Sequence, residues 1–143
     1  MTGPQEVAES AAEAMWAGDQ ASQALGMEIV EVGPGRAVVR MTVREDMVNG
    51  HAIGHGGLTF TLADSAFAFA CNSYDRRTVA AGAEIRFRAP THLGDVLTAT
   101  ATERSREGRS GVYDVEVTAS GSSGATVVAT FVGHSREVGG SFA

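Results

Sequence analysis

The chain has no lysine. All 11 of its basic residues are arginine, set against 17 acidic ones, and the net charge is −6 over 143 residues. That balance argues against a nucleic-acid or anionic-membrane surface, which requires a basic field. It leaves room for a phosphate on a small ligand, held by a few local arginines. Cysteine is almost as scarce: Cys71 stands alone, which excludes an intrachain disulfide and suits a reducing compartment. Catalytic signatures are missing too. There is no G-x-S-x-G elbow, and the GHGG at 54–57 has neither the Lys and Ser/Thr of a phosphate loop nor dinucleotide-fold spacing. The opening MTGPQEVAESAAEAMW carries acids and no basic start, so no signal peptide is expected. Residues 49–74 hold one formal charge, but His, Gly, Thr and Ser interrupt them, so no membrane span is expected and the location is expected to be cytoplasmic.

What is there reads as an ordinary globule, with 43% hydrophobic and 20% charged residues. A chain of this length suffices for one self-sufficient core, so residues 1–143 are expected to form a single domain, frayed at 1–4 and 139–143. Residues 5–25 are Ala-rich without internal proline and predict a helix ended by Gly26. MEIVEV (27–32) and RAVVRMTV (36–43) predict strands joined by the GPG turn at 33–35. A long irregular stretch, REDMVNGHAIGHGG (44–57), then runs into a second helix over 57–74. Loops of that length are usually functional when they lead into ordered structure.

The second helix is apolar almost all round, with Leu58, Leu62, Ala66 and Ala70 on one row and Phe60, Ala63, Phe67 and Cys71 on another. Such a helix is buried. Beyond it the period becomes two: strands are predicted at 83–89, 95–103, 111–119 and 125–135, with turns at 91–95, 107–111 and 121–124. Ala83, Ile85, Phe87 and Ala89 are expected to share the inner face of the first of these. Hairpin-length connections imply an antiparallel sheet, and one buried helix needs that sheet to curl around it. The expected class is α+β: a hotdog fold, an antiparallel sheet wrapped on a long central helix, with an extra N-terminal helix. An open sheet edge and an incompletely covered helix predict a dimer.

One carboxylate, Asp64, interrupts the apolar helix. An ionised Asp away from water costs several kcal/mol, on the order of a lost hydrogen bond or more, unless something compensates. The Gly-rich start of the same helix offers the N–H groups of Gly56, Gly57 and Leu58 and a favourable dipole, an anion site in principle. Asp64 lies roughly 10 Å further up the helix at about 1.5 Å per residue, too far to share one reacting carbon with that start. If the two act together, Asp64 must meet the glycine loop of a second, antiparallel copy. The bland readings of Asp64 are an edge residue reaching solvent and a hydrogen-bond anchor. Asn49, His51 and His55 in the preceding loop favour a site instead. His51 and His55 do not make a convincing metal pair, since Gly54 breaks the helix their spacing needs and no H-E-x-x-H motif supports it. Cys71, two turns from Asp64, reads as a small core residue before it reads as a nucleophile. His92 and His134 read as a loop residue and an exposed strand residue.

In DMVNGHAIGHGG, LADSAFAFACNS, FRAP, GDVLTATA and GVYDVEV the sequence resembles the PaaI-type acyl-CoA thioesterases, hotdog enzymes of phenylacetic acid degradation, over about residues 20–139. The segment VAAGAEIRFRAP departs most from that family. The resemblance implies Asp64 as the catalytic carboxylate, general base or nucleophile, with Asn49, His55 and Gly56 coming from another subunit. Gly56 N–H would polarise the thioester carbonyl, His55 would shape its loop, and Asn49 would orient the carboxylate or water. Gly57 would join the substrate-binding loop, and Arg86 and Arg88 are candidates for CoA phosphates, with Arg76 and Arg77 behind them. The implied activity is hydrolysis of phenylacetyl-CoA or related aryl and medium acyl-CoA thioesters by a homodimer or a tetramer of hotdog dimers, with no metal and no cofactor. A non-catalytic acyl-CoA binding module and a hotdog hydratase or dehydratase are the alternatives.

Overall fold

A computed structural model of the protein describes residues 2–121 and 124–142. Ser122 and Ser123 of the expected 121–124 turn, and Met1 and Ala143 of the expected frayed ends, lie outside the described residues.

The N-terminal segment forms two helices, α1 (Pro4–Gly18) and α2 (Gln20–Ala24), where one was expected. Asp19 makes the break. Its carboxylate accepts from Ser22 N at 3.0 Å, and a residue capping a new helix leaves helical φ/ψ, here −86° and 81°. Pro4 opens α1 at a position where its missing N–H costs nothing. Helix α1 turns Ala8, Ala11 and Ala12 inward, and its Trp16 ring packs 6.4 Å from that of Phe69.

Six strands follow the expected spacing: β1 (Glu28–Gly33), β2 (Arg36–Thr42), β3 (Thr78–Phe87), β4 (Val96–Glu107), β5 (Ser110–Gly121) and β6 (Gly124–Glu137). They form one sheet in the order β1-β2-β4-β5-β6-β3, with antiparallel neighbours throughout. Tyr113, Val115, Val117 and Ala119 of β5 are buried, while Asp114 and Glu116 face out. Burial on one face draws the sheet around helix α3 (Gly56–Cys71), whose Leu62, Ala63, Ala66, Phe67, Phe69 and Ala70 are buried. The Phe67 ring lies 5.7 Å from Tyr113 and 5.9 Å from Phe131. Gly133 makes room for it: a Cβ there would come within 2.7 Å of the Phe67 ring. This is the expected α+β hotdog architecture.

Two boundaries differ from the sequence reading. Helix α3 stops at Cys71 because the Asn72 side chain turns the chain. Its Nδ2 donates to Ala68 O (2.9 Å) and Thr78 O (3.0 Å), and its Oδ1 accepts from Thr78 N (2.8 Å). That clamp starts β3 at Thr78, five residues before the alternating pattern begins at Ala83. Strand β3 is an edge strand, paired to β6 from Thr78↔Glu137 to Phe87↔Ala129 with a bulge between Ala80 and Gly82. The expected inner face is only partly covered. Ile85 and Ala89 are half-buried, but Ala83 and Phe87 are exposed, Phe87 by 57% and Val79 at the other end by 50%. At the C-terminal end Gly140 and Ser141 accept hydrogen bonds from Arg77, and Phe142 N donates to Asp75.

Candidate active site

The loop before α3 is ordered by its own polar groups. Asn49 Oδ1 accepts from His51 N (2.9 Å) and Ile53 N (3.2 Å), and Asn49 N donates to Ile53 O (2.8 Å). The Asn49 side chain therefore shapes the loop within its own chain, and Ala52 takes a left-handed φ of 60° at its tip. Gly54 N donates to Thr91 O at 2.8 Å, and a Cβ on Gly54 would fall 1.9 Å from Thr91 Oγ1, so only glycine docks here. His55 N donates to Met47 O (2.7 Å), and His55 caps α3 with Nδ1 accepting from Gly57 N (3.3 Å).

The expected trio of open amides at the helix start is thereby corrected. The Gly57 N–H is engaged by His55 Nδ1, and the Leu58 N–H donates to His55 O at 3.0 Å. The Gly56 N–H is left without a partner among the described residues, as the first turn of a helix allows. A single donor points from the N-terminal, electropositive end of the helix. Gly56 lines a cavity of about 380 Å³ with Ile53, Thr59, Phe87, Arg88 and Thr91. The Phe87 ring approaches so closely that a Cβ on Gly56 would lie 3.0 Å from its Cζ.

Asp64 lines a different cavity, of about 410 Å³, with Met15, Phe67, Ala68, Val79 and Phe142 among its walls. The carboxylate is half-buried and has no hydrogen-bond partner among the described residues. Desolvation pushes its pKa above the ordinary carboxylate value. A carboxylate kept so in an apolar cavity is a stronger base than one in water. Cys71 lines the same cavity, and burial first, then the nearby Asp64 charge, push its thiol up to about 12 against the opposing pull of a backbone hydrogen bond. At neutral pH it is a thiol, which makes it a poor nucleophile.

The two arginines separate. Arg88, just past the end of β3, donates from Nε to Thr130 Oγ1 at 3.2 Å and lines the Gly56 cavity, whereas Arg86, exposed on β3, lines neither cavity. Among the described residues no group of three His, Cys, Asp or Glu is placed to hold a metal ion, and no helix is long and apolar enough to cross a membrane. His92 sits in the 91–95 turn, its N–H donating to Asp95, and His134 is an exposed residue of β6. The sequence reading missed Met15 and Phe142 as cavity walls because neither sits in a motif, and it read Phe87, the first residue of FRAP, only as an inner-face strand residue; the fold brings all three to the cavities.

The Gly56 amide and the half-buried Asp64 carboxylate thus lie on one central helix. Residues 51–125, which hold both, match the family model described as the thioesterase superfamily. The chain belongs to this family, among its PaaI-type acyl-CoA thioesterases. It is 45% identical over 129 residues to the acyl-coenzyme A thioesterase PaaI of Escherichia coli (strain K12), covering 90% of each chain. The solved structure of the E. coli PaaI protein from the phenylacetic acid degradation operon superposes with a TM-score of 0.92, covering 97% of this chain and 99% of that one at 42% identity. A mutant of the phenylacetic acid degradation protein PaaI from Thermus thermophilus matches with a TM-score of 0.78 at 35% identity, covering 84% of this chain and 100% of that one.

Proposed function

We propose that this thioesterase hydrolyses phenylacetyl-CoA or related aryl and medium acyl-CoA thioesters, in sites built from two subunits. The observation that carries the proposal is the position of β3. Asp64 and Gly56 line separate cavities in one chain, about 12 Å apart along α3 for eight residues of rise. Val79 and Ala80 at one end of β3 line the Asp64 cavity, and Phe87 at the other end lines the Gly56 cavity. The outer edge of β3 is open. Antiparallel pairing with the same edge of a second copy, about a two-fold axis near Ala83, sets Val79 across from Phe87 of the other copy. Each Asp64 then faces the other subunit's Gly56 amide, and the exposed apolar side chains are covered. Dimers of this kind, or tetramers of two of them, are the working enzyme.

In each composite site the Gly56 N–H holds the carbonyl oxygen as it gains charge. Water attacks the carbonyl carbon while Asp64 takes its proton, the C–S bond breaks, and the CoA sulfur leaves with the bonding electrons and is protonated. In the nucleophilic variant Asp64 attacks first and water cleaves the resulting anhydride. His55 and Asn49 hold the loop that aims the amide, Gly57 completes its turn, and CoA phosphates are met by Arg88 in the Gly56 cavity wall and by Arg86 on the exposed face outside it. No metal or other cofactor takes part.

The test is complementation. Asp64→Asn and Gly56→Pro homodimers are each expected to lose released-thiol activity on phenylacetyl-CoA. Unfolded and refolded together in equal amounts, they are expected to recover about a quarter of wild-type activity, since about half the dimers are mixed and one site in each is intact. No recovery overturns the shared site, and an active Asp64→Asn homodimer overturns the role of Asp64.

A further inference from the structure

The Asp64 cavity is walled on one side by a segment that the chemistry above does not use. After β6 the chain turns through Gly139 and Gly140, at left-handed φ of 92° and 87°, and runs back beside the start of β3. Val138 N donates to Arg77 O (2.8 Å) and Arg77 N donates to Gly140 O (2.9 Å). Arg77 Nε donates to Ser141 O at 3.2 Å, and Phe142 N donates to the Asp75 carboxylate at 2.8 Å. The Arg77 guanidinium lies 5.0 Å from the centre of the Phe142 ring. Asp75 holds its own anchoring position at a left-handed φ of 58°. The result is a strap, fixed at several points, that brings Val138 and Phe142 to the cavity that Met15 and Phe67 also line.

We infer that Phe142 is a specificity-determining residue: the 138–142 strap, pinned by Asp75 and Arg77, walls the acyl end of the Asp64 cavity and limits the size of the acyl group admitted there. The inference rests on the reading that this cavity receives the acyl part of the thioester. Its walls favour that part over the rest of the substrate. Met15, Phe67, Val79, Val138 and Phe142 offer nothing to amides or phosphates, and, Asp64 apart, the polar side chains beside them are engaged: Asn72 by Ala68 O and the Thr78 backbone, Thr78 Oγ1 by Arg76 O, and Arg77 by the strap. An aromatic wall suits an aryl group, which gains from ring-to-ring contact beyond simple burial. A wall held by hydrogen bonds does not retreat for a longer chain, so length is discriminated as well.

The experiment compares phenylacetyl-CoA with decanoyl-CoA in wild type, Phe142→Ala, Phe142→Leu and Asp75→Gly. Glycine accepts the left-handed φ at position 75, so Asp75→Gly releases the strap without backbone strain. Each protein is assayed by released thiol and, separately, by calorimetric binding of the two non-hydrolysable thioether analogues. Phe142→Ala is expected to shift the kcat/KM ratio toward decanoyl-CoA by about ten-fold or more. Phe142→Leu and Asp75→Gly should move it the same way by less, with the analogue affinities following. If wild type is active and all three variants keep its ratio in both assays, the inference is overturned while the Asp64 reading stands. If wild type hydrolyses neither thioester but the variants shift the analogue affinities, the Asp64 reading falls and the strap's role survives. Wild type that binds neither analogue overturns both.

Discussion

The Gly56 amide offers a test that separates a hydrogen-bond donor from the space around it. Gly56→Pro removes that N–H and leaves the helix start otherwise suited to it. Gly56 is the first residue of α3, where proline is favoured because no intrahelical bond is lost. Residue 55 must then be extended, and His55 already is, at φ −67° and ψ 127°. The new ring meets Phe87, to which a Cβ would stand at 3.0 Å from Cζ. Because Phe87 is more than half exposed in the single chain, it has room to yield. Gly56→Ala sets the same Cβ against Phe87 and keeps the N–H, so the ratio of the two variants separates loss of the donor from that contact. Loss of one oxyanion donor costs about 3–4 kcal/mol of transition-state stabilisation, a 10²–10³ fall in kcat. KM is expected to change little, since the donor acts on charge that develops only in the transition state. Steady-state kinetics on phenylacetyl-CoA, with thermal unfolding and sedimentation to confirm a folded oligomer, reads this directly. Equal losses in the proline and alanine variants, or a proline variant retaining more than about a tenth of kcat, would refute the assignment of the amide.

Two further outcomes follow from the same cavities. Asp64→Asn is expected to be more stable than wild type at neutral pH, because desolvation raises the folded-state pKa of Asp64 and burial penalises only its ionised form. Folding stability is therefore lost as pH rises through that raised value, and the advantage of the variant should vanish as pH falls toward 3.8. Denaturant unfolding of both proteins across that range checks the sign, and a variant less stable at pH 7 contradicts it. Cys71→Ala should keep activity within about two-fold and cost about 1 kcal/mol of stability, since a buried thiol pushed up to about 12 is a packing group at neutral pH. A hundred-fold loss of kcat would make it a nucleophile after all.

How much of this was legible in the sequence depends on what each feature needs. The strands were legible where one face is buried: Tyr113, Val115, Val117 and Ala119 alternate with polar residues because only one side of β5 meets the helix. The first half of β3 was not, since both faces of VAAGA are exposed in the single chain and impose no alternation. The same exposed edge is where the proposed second copy would pair. Asp64 was legible as an anomaly within an apolar helix, and Gly56 as part of a glycine-rich helix start. That only one of three expected amides stays open was not, because it depends on which way the His55 ring turns to meet the Gly57 N–H. Phe142 was the least legible of all: it lies 78 positions from Asp64 in the chain and reaches the cavity only through Asp75 and Arg77. On the proposed reading the chemistry sits in a compact motif, residues 49–64, that spacing brings out. The walls inferred to choose among substrates include distant segments, where a single phenylalanine has no neighbours in sequence to announce it. Substitutions at Met15, Val138 and Phe142, outside residues 51–73, should therefore retune selectivity, and those that remove the Gly56 N–H or the Asp64 carboxylate, inside them, should abolish hydrolysis.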